Sequence, residues 1–156
     1  MNAHKEETFK IGGIHHASFT VSNMKNSLAF YRDILGFEVV FDSFEAGAPF
    51  KGTEVDNLTG CPGSELHIVF LLVNEDMLEL IEYSPKGKRL KENQASDTGS
   101  AHICLKTENI QALYRRLSDH GARIHFPPQN LGGVDVMYFR DPDGIIIESM
   151  QGDPLA

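Results

Sequence analysis

The fold is decided by the stretch Ile14-His15-His16-Ala17-Ser18-Phe19-Thr20-Val21, because its pattern returns later in the chain as Ala101-His102-Ile103-Cys104-Leu105. Each copy places a His at the start of an apolar, strand-like segment. An Asn follows seven residues after the His in both copies, at Asn23 and at Asn109, and a helical pattern begins there. This repetition predicts a chain built from two copies of one structural unit.

Both units continue with the same succession of elements. Helices are predicted over Asn26 to Leu35 and over Ile110 to His120, where apolar residues recur at helical spacing and a Gly follows as a stop. Strands are predicted at 37–41, 65–73 and 76–82 in the first unit, and at 122–126, 135–139 and 145–150 in the second. The sequence therefore predicts an α+β fold in which two paired βαβββ modules form a curved mixed sheet.

The predicted modules are bounded by polar segments. Residues 1–12 form an N-terminal tail, 13–84 the first module, 85–99 a linker, and 100–152 the second module. The first module carries an insertion at 42–64, with a short possible helix over 53–58. Because loops of this length are usually functional or disordered, the insertion is either a lid over the site or a plain surface loop.

Composition limits the classes of function. The chain has 156 residues, of which 41% are hydrophobic, enough for one compact core. Its net charge of −8 makes nucleic acid an unsuitable partner, because phosphate binding needs a basic face. No membrane span and no secretory signal is visible, and Cys61 and Cys104 lack zinc-ligand spacing, so the cytoplasm is the expected location.

Four side chains occupy matching places in the two modules. His16 and His102 begin the modules, and Glu79 and Glu148 lie inside their last strands. Imidazoles and carboxylates in strands are costly unless something binds them, and two of each form a suitable site for a divalent metal. Alternation along the strands predicts that all four share one trough if the modules form one sheet. For any one of the four taken alone, a hydrogen-bonded core His or a solvent-facing Glu is the commoner explanation.

Several nearby residues have more ordinary interpretations. Cys104 is expected to be a small core residue, although strand alternation leaves it near the proposed metal. Lys106 is expected to be a solvated strand-end residue that could also meet an anionic substrate. The remaining histidines have no counterpart in the other module, and they are interpreted as surface or structural residues: His4, His67, His120 and His125.

The paired modules resemble the vicinal oxygen chelate superfamily, which includes glyoxalase I, methylmalonyl-CoA epimerase, extradiol dioxygenases and fosfomycin or bleomycin resistance proteins. The segments that carry the resemblance are Phe30-Tyr31-Arg32-Asp33-Ile34-Leu35-Gly36-Phe37 and Phe139-Arg140-Asp141-Pro142-Asp143-Gly144-Ile145-Ile146-Ile147-Glu148. It implies that His16, Glu79, His102 and Glu148 are the metal ligands, as in bacterial glyoxalase I. It also implies a homodimer, with the site within one chain or between two.

The sequence departs from the glutathione-dependent members of that superfamily. They carry an Arg four residues after the first His, where this chain has Thr20, and an Asn shortly after the first Glu, where it has Glu82-Tyr83-Ser84-Pro85. The anchors for a glutathione carboxylate are therefore missing, and lactoylglutathione is not the expected substrate. For acyl-CoA thioesters the pattern is neutral.

The expected chemistry is that of an isomerase, epimerase or lyase acting on a small α-oxygenated or thioester substrate. A divalent metal (Zn, Ni, Co, Mn or Fe) would stabilise an enediolate, while Glu79 and Glu148 transfer the proton on either side. One alternative is a non-haem Fe(II) dioxygenase that uses His16, His102 and Glu148. The other is a non-catalytic protein that binds and sequesters a small molecule.

Overall fold

A computed structural model describes residues 9–154 of the chain. The first eight residues of the predicted tail, including His4, lie outside the described residues. Within 9–154, every helix is too short or too polar to pass through a membrane.

The first module contains five strands and two helical segments. Its elements are β1 (Ala17–Thr20), α1 (Met24–Leu28) continuing as a π-helical segment (Ala29–Ile34), β2 (Glu38–Asp42), β3 (Phe50–Lys51), α2 (Thr53–Thr59), β4 (Glu65–Val73) and β5 (Asp76–Ser84).

The second module repeats this plan with one helix. Its elements are β6 (His102–Lys106), α3 (Ile110–Asp119), β7 (Arg123–Ile124), β8 (Gln129–Leu131), β9 (Val134–Arg140) and β10 (Ile146–Gln151). The α+β class and the paired modules are confirmed. Two short strands, β3 and β8, were not predicted, because two or three residues give no periodic signal.

The two sheets have the same topology. The order is β1-β5-β4-β2 in the first sheet, with β3 beside β4, and β6-β10-β9-β7 in the second, with β8 beside β9. The first strand of each module runs parallel to the last, whereas all other pairs are antiparallel. Among residues 9–154 no strand of one sheet pairs with a strand of the other, so one chain contains two sheets rather than one continuous curved sheet.

The Asn residues that mark the repeat are helix N-caps. The side chain of Asn23 accepts a hydrogen bond from the backbone of Asn26, and the side chain of Asn109 accepts one from the backbone of Ala112, each at 2.9 Å. Such a cap satisfies a backbone N–H that the first turn of a helix leaves without a partner. The seven-residue distance from His to Asn therefore reflects one strand and one capped turn in each copy.

One core joins the two modules. Buried side chains of both modules form a single apolar cluster, in which the rings of Phe30 and Phe139 lie 6.3 Å apart. The guanidinium of Arg116 on α3 donates to the backbone carbonyls of Asp33 and Ile34 in the first module. The modules thus pack through their helix-bearing faces, which leaves the opposite face of each sheet to carry the site.

The insertion at 42–64 is partly built into the first sheet. Strand β3 pairs with β4, and α2 follows it, one residue longer than the predicted helix. The turn that opens the insertion is stabilised by Asp42. Oδ1 of Asp42 accepts hydrogen bonds from the backbone N–H groups of Phe44 and Glu45 and lies 2.8 Å from Nε2 of His67. The ring of His67 stacks on Phe44 at 4.1 Å. His67 is therefore structural, and a lid function for the insertion stays a prediction.

The Asp42 contacts predict a pH-dependent contribution to stability. Burial works to raise the pKa of Asp42, but the hydrogen bonds from His67 and the two backbone amides outweigh it, and the pKa is lowered. A lowered folded-state pKa stabilises the fold above the unfolded value of about 3.9 and loses this effect as the pH falls below it. We expect Asp42→Asn to lower the free energy of unfolding by about 1–2 kcal/mol at pH 7, and by less near pH 2.5, below the unfolded pKa. Urea unfolding of both proteins at the two pH values measures this, and a difference that grew on acidification would contradict it.

Candidate metal centre

The first module brings its His and its Glu together. His16 directly precedes β1, and Glu79 lies in the middle of β5, the parallel neighbour of β1. Nε2 of His16 lies 3.4 Å from Oε2 of Glu79. Nδ1 of His16 lies 2.8 Å from Nδ1 of His15. This contact with His15 holds the His16 ring so that its Nε2 faces the carboxylate of Glu79. The seven-residue distance to Asn23 selects His16 rather than His15 as the counterpart of His102, and this placement agrees with it.

The second module repeats the arrangement. His102 opens β6, Glu148 lies on the parallel neighbour β10, and Nε2 of His102 is 3.2 Å from Oε2 of Glu148. The registers also match, because Glu79 is the strand partner of Ser18 and Glu148 that of Cys104, each two residues after the module's His. Both carboxylate side chains are mostly buried, at 12% and 16% exposure, while the His side chains remain at 32% and 40%.

The donor atoms of each pair suit a shared cation. Ligand atoms about 2.1 Å from one divalent metal lie roughly 3.0–3.4 Å from each other, depending on the coordination geometry. Both measured N···O distances agree with that range. Imidazole nitrogen and carboxylate oxygen are also the donors that Zn, Ni, Co, Mn and Fe accept.

One chain does not bring the two pairs together. Among residues 9–154 there is no group of three or more His, Cys, Asp or Glu side chains that could hold a metal ion. Each module therefore contributes two candidate ligands, one pair on each of two separate sheets. A four-ligand site requires that a pair from one module meet the other pair across an interface.

The surroundings of Glu148 contain two side chains that sequence reasoning did not assign to the site. Tyr138 is the strand partner of Glu148 on β9, and its ring lies 5.3 Å from that of His102. Burial raises the pKa of Tyr138, and the nearby charge of Glu148 raises it further. Cross-strand pairing with Glu148 is the signal that could have found it, but register is not visible from one strand alone.

Cys104 also belongs to these surroundings. The loss of solvent around its sulfur raises the pKa of the thiol to about 11, and the charge of Glu148 adds to the effect. Although the residue as a whole is exposed, the thiol is neutral at physiological pH and hydrogen-bonds with Glu148. Its neighbours are thus site residues rather than the apolar core expected from the sequence.

The other predicted structural histidines have protein partners. Nε2 of His125 accepts from Nε of Arg140 at 2.9 Å, and Nδ1 of His120 lies 2.8 Å from the carbonyl oxygen of Arg116. Burial lowers the pKa of His125, and the positive charge of Arg140 lowers it further, so this ring is a neutral acceptor.

In the first module, an aromatic pair packs against the His–Glu pair. Phe70, the strand partner of Glu79, contacts the ring of His16 edge-on at 5.6 Å, and Phe41 packs against Phe70 at 6.2 Å. Such apolar walls with a few convergent polar groups are typical of small-molecule sites.

Duplicated modules of this topology, each with a His–Glu pair at the same register, define the class of fold to which the chain belongs. The model of the Glyoxalase/Bleomycin resistance protein/Dioxygenase superfamily matches residues 13–149, and the chain belongs to this superfamily.

Comparisons with individual proteins agree with this membership. The chain is 29% identical over 150 residues to the ethylmalonyl-CoA/methylmalonyl-CoA epimerase of Cereibacter sphaeroides, covering 90% of this chain and 98% of the relative. The structure of a glyoxalase family protein from Bacillus cereus superposes with a TM-score of 0.79 at 18% identity, over 96% of this chain and 98% of the other. A point mutant of the fosfomycin resistance protein FosX of Listeria monocytogenes, in complex with Mn(II) and 1S,2S-dihydroxypropylphosphonic acid, superposes with a TM-score of 0.64 at 17% identity, over 94% of this chain and 97% of the other.

Proposed function

We propose that this protein is a divalent-metal-dependent isomerase or epimerase that labilises a hydrogen on a carbon beside a carbonyl group. The observation that carries the proposal is the pair of His–Glu contacts at equivalent register, His16 with Glu79 and His102 with Glu148. In this proposal the four side chains are the metal ligands. The ligand set is completed between two copies of the chain, because one chain holds the pairs on separate sheets.

The donor set assigns a role to each residue. His16 and His102 hold the cation as neutral imidazoles, with His15 orienting the first ring. A divalent cation bound there supplies the positive charge that stabilises the oxygen anion formed when the neighbouring carbon loses its proton. Glu79 and Glu148 lie on opposite modules, so one can accept the proton from one side of the substrate while the other returns it from the opposite side.

The comparisons support the epimerase form of this chemistry. The relative from Cereibacter sphaeroides is named for acyl-CoA substrates, which makes a 2-substituted malonyl thioester the substrate class to test first. The binding of Mn(II) by FosX supports a divalent metal in this fold. Thr20 stands where a glutathione-binding member would carry Arg, which argues against glutathione conjugates.

The test is hydrogen exchange measured with defined metal content. We expect protein loaded with Mn, Co, Ni or Zn to incorporate deuterium from D2O at the α-carbon of methylmalonyl-CoA or ethylmalonyl-CoA. We expect at least about a hundredfold slower exchange after chelation, because the loss of one such electrostatic stabiliser costs about 3 kcal/mol or more. The hemithioacetal of methylglyoxal and glutathione serves as the comparison substrate, with no turnover expected. Undiminished exchange in protein shown to be metal-free would contradict the proposal.

A further inference from the structure

We infer that residues 86–91, which we call the basic segment, bind a phosphate group at the entrance to the proposed metal site. The inference rests on the proposed function only in assigning that phosphate to the substrate, since the cations that line the pocket do not depend on the metal.

The basic segment is an exception in an acidic chain. It contains Lys86, Lys88, Arg89 and Lys91, four of the 14 Lys and Arg residues, within a protein of net charge −8. A local concentration of cations in an otherwise negative molecule creates a positive potential at one place, which draws anions there.

These cations line a cavity. Its volume is about 750 Å³, and the basic segment forms one wall. Thr20 and Tyr83 of the first module and Ala101 and Ile146 of the second contribute to the others. A concave space of this size can enclose a small-molecule group.

The acidic residues on the same walls are already bonded. Glu92 pairs with Arg123 at 2.7 Å, Asp97 accepts from the backbone of Gln94, and Asp143 accepts from the backbone of Ser22. Glu92 is therefore balanced by Arg123, and Asp97 and Asp143, which keep their charge, form no ion pair with the basic segment within residues 9–154.

The cations, in contrast, are mostly without partners. Lys86 lies 3.3 Å from Glu82, but within residues 9–154 Lys88, Arg89 and Lys91 form no ion pair or side-chain hydrogen bond. Three unpaired, exposed cations on one cavity wall favour a ligand that carries more than one negative charge. A phosphate fits, because Arg offers a planar fork of donors to its oxygens and Lys adds mobile point charges.

The cavity adjoins the second candidate ligand pair and lies four residues along the strands from the first. Ala101 directly precedes His102, and Ile146 is the strand partner of His102. Thr20 and Tyr83 lie four residues along their strands from His16 and Glu79, about 13 Å at the usual rise of a strand. A substrate whose reactive carbon lies at the metal and whose other end is a phosphate ester therefore has its charged end over the basic segment.

The test is calorimetric titration of the full chain at about 50 mM salt, where screening is weak. The protein is first made metal-free with a chelator that is then removed by dialysis, so that no phosphate binds through a metal ion and no anionic chelator competes for the basic segment. The probes are inorganic phosphate, pyrophosphate and adenosine 3′,5′-bisphosphate, with malonate as a carboxylate of similar charge. The test variant is Lys88→Gln/Arg89→Gln/Lys91→Gln. The matched control, Lys10→Gln/Lys25→Gln/Arg115→Gln, removes the same charges from exposed positions outside the cavity.

We expect the phosphate compounds to bind the wild type more tightly than malonate, with affinity falling at least tenfold in the test variant and less than twofold in the control. Tighter binding of the bisphosphate than of pyrophosphate, which carries a similar charge, would identify a phosphate ester as the ligand, and equal binding of these two would identify free phosphate groups. Equal affinity for malonate, equal losses in both variants, or no binding by the wild type would overturn the inference. Because metal is absent throughout, such a failure leaves the proposed metal chemistry standing, and a failed deuterium exchange leaves this result standing.

Discussion

An equimolar mixture of the inactive variants Glu79→Gln and Glu148→Gln is expected to regain about a quarter of the wild-type rate of deuterium exchange. This result is expected if each site combines the first module of one copy with the second module of its two-fold partner. Glu79→Gln damages only the first-module pair and Glu148→Gln only the second. Each alone is expected to lower the exchange rate by about 10²–10⁴, since each removes a proton-transfer group. After subunit exchange, half of the dimers are mixed, and each mixed dimer has one site with both pairs intact. The rate of deuterium exchange, measured on the separate and the mixed variants, tests this.

The control keeps both defects in one module. In a mixture of His16→Ala and Glu79→Gln, every copy has a damaged first-module pair. No site then combines two intact pairs, so the mixture is expected to stay inactive. Mixed dimers are verified by isolating them through two different affinity tags. Mixed dimers of Glu79→Gln and Glu148→Gln that remain as inactive as the separate variants would contradict a site shared between copies.

The repeat predicted much of the fold because its two signals, the His-to-Asn spacing and the periodicity of apolar residues, are both local in the sequence. The His-to-Asn distance located a strand and a capped helix in each module, and β4 was predicted with the bounds that the structure shows, 65–73. The helix α3 ends one residue before its predicted end at His120. These features depend on hydrogen bonds and periodicity within a few residues, which one sequence contains in full.

The candidate site was predictable only as two halves. Equivalent positions of His16 and His102 are visible in the sequence, and so are those of the two Glu residues. Whether the halves meet in one chain depends on how the modules pack, and that is decided by apolar contacts such as Phe30 with Phe139, far apart in sequence. Tyr138 was not assigned to the site because strand register places it opposite Glu148. His15 was not assigned because its contact with His16 depends on the orientation of the two rings. Neither feature is visible in one sequence.

A second large effect is expected where the two modules are joined in the core. Tyr31 is fully buried on the helical segment of the first module, and its hydroxyl donates to Oδ2 of Asp141 in the second at 3.0 Å. Oδ1 of Asp141 accepts from the backbone N–H groups of Asp143 and Ile145, so this carboxyl also shapes the turn before β10. Tyr31→Phe leaves a buried oxygen without its donor and is expected to lower the free energy of unfolding by about 1–3 kcal/mol. Urea unfolding followed by circular dichroism measures the change.

The pKa of Asp141 determines how the stability loss of Tyr31→Phe changes with pH. Burial raises the pKa of Asp141, while the hydroxyl of Tyr31 is one of the donors that oppose the rise. A raised folded-state pKa means that the stability contribution of this carboxyl is complete below its unfolded pKa and is lost as the pH rises through the folded value. Without the hydroxyl the folded pKa rises further, so the deficit of Tyr31→Phe is expected to be larger at pH 7 than near pH 4.

Tyr114→Phe is the matched control, because Tyr114 is only half-buried and its hydroxyl makes no hydrogen bond within residues 9–154. Equal losses from the two variants, or a deficit at position 31 that shrinks toward neutral pH, would show that the Tyr31–Asp141 bond does not join the modules energetically.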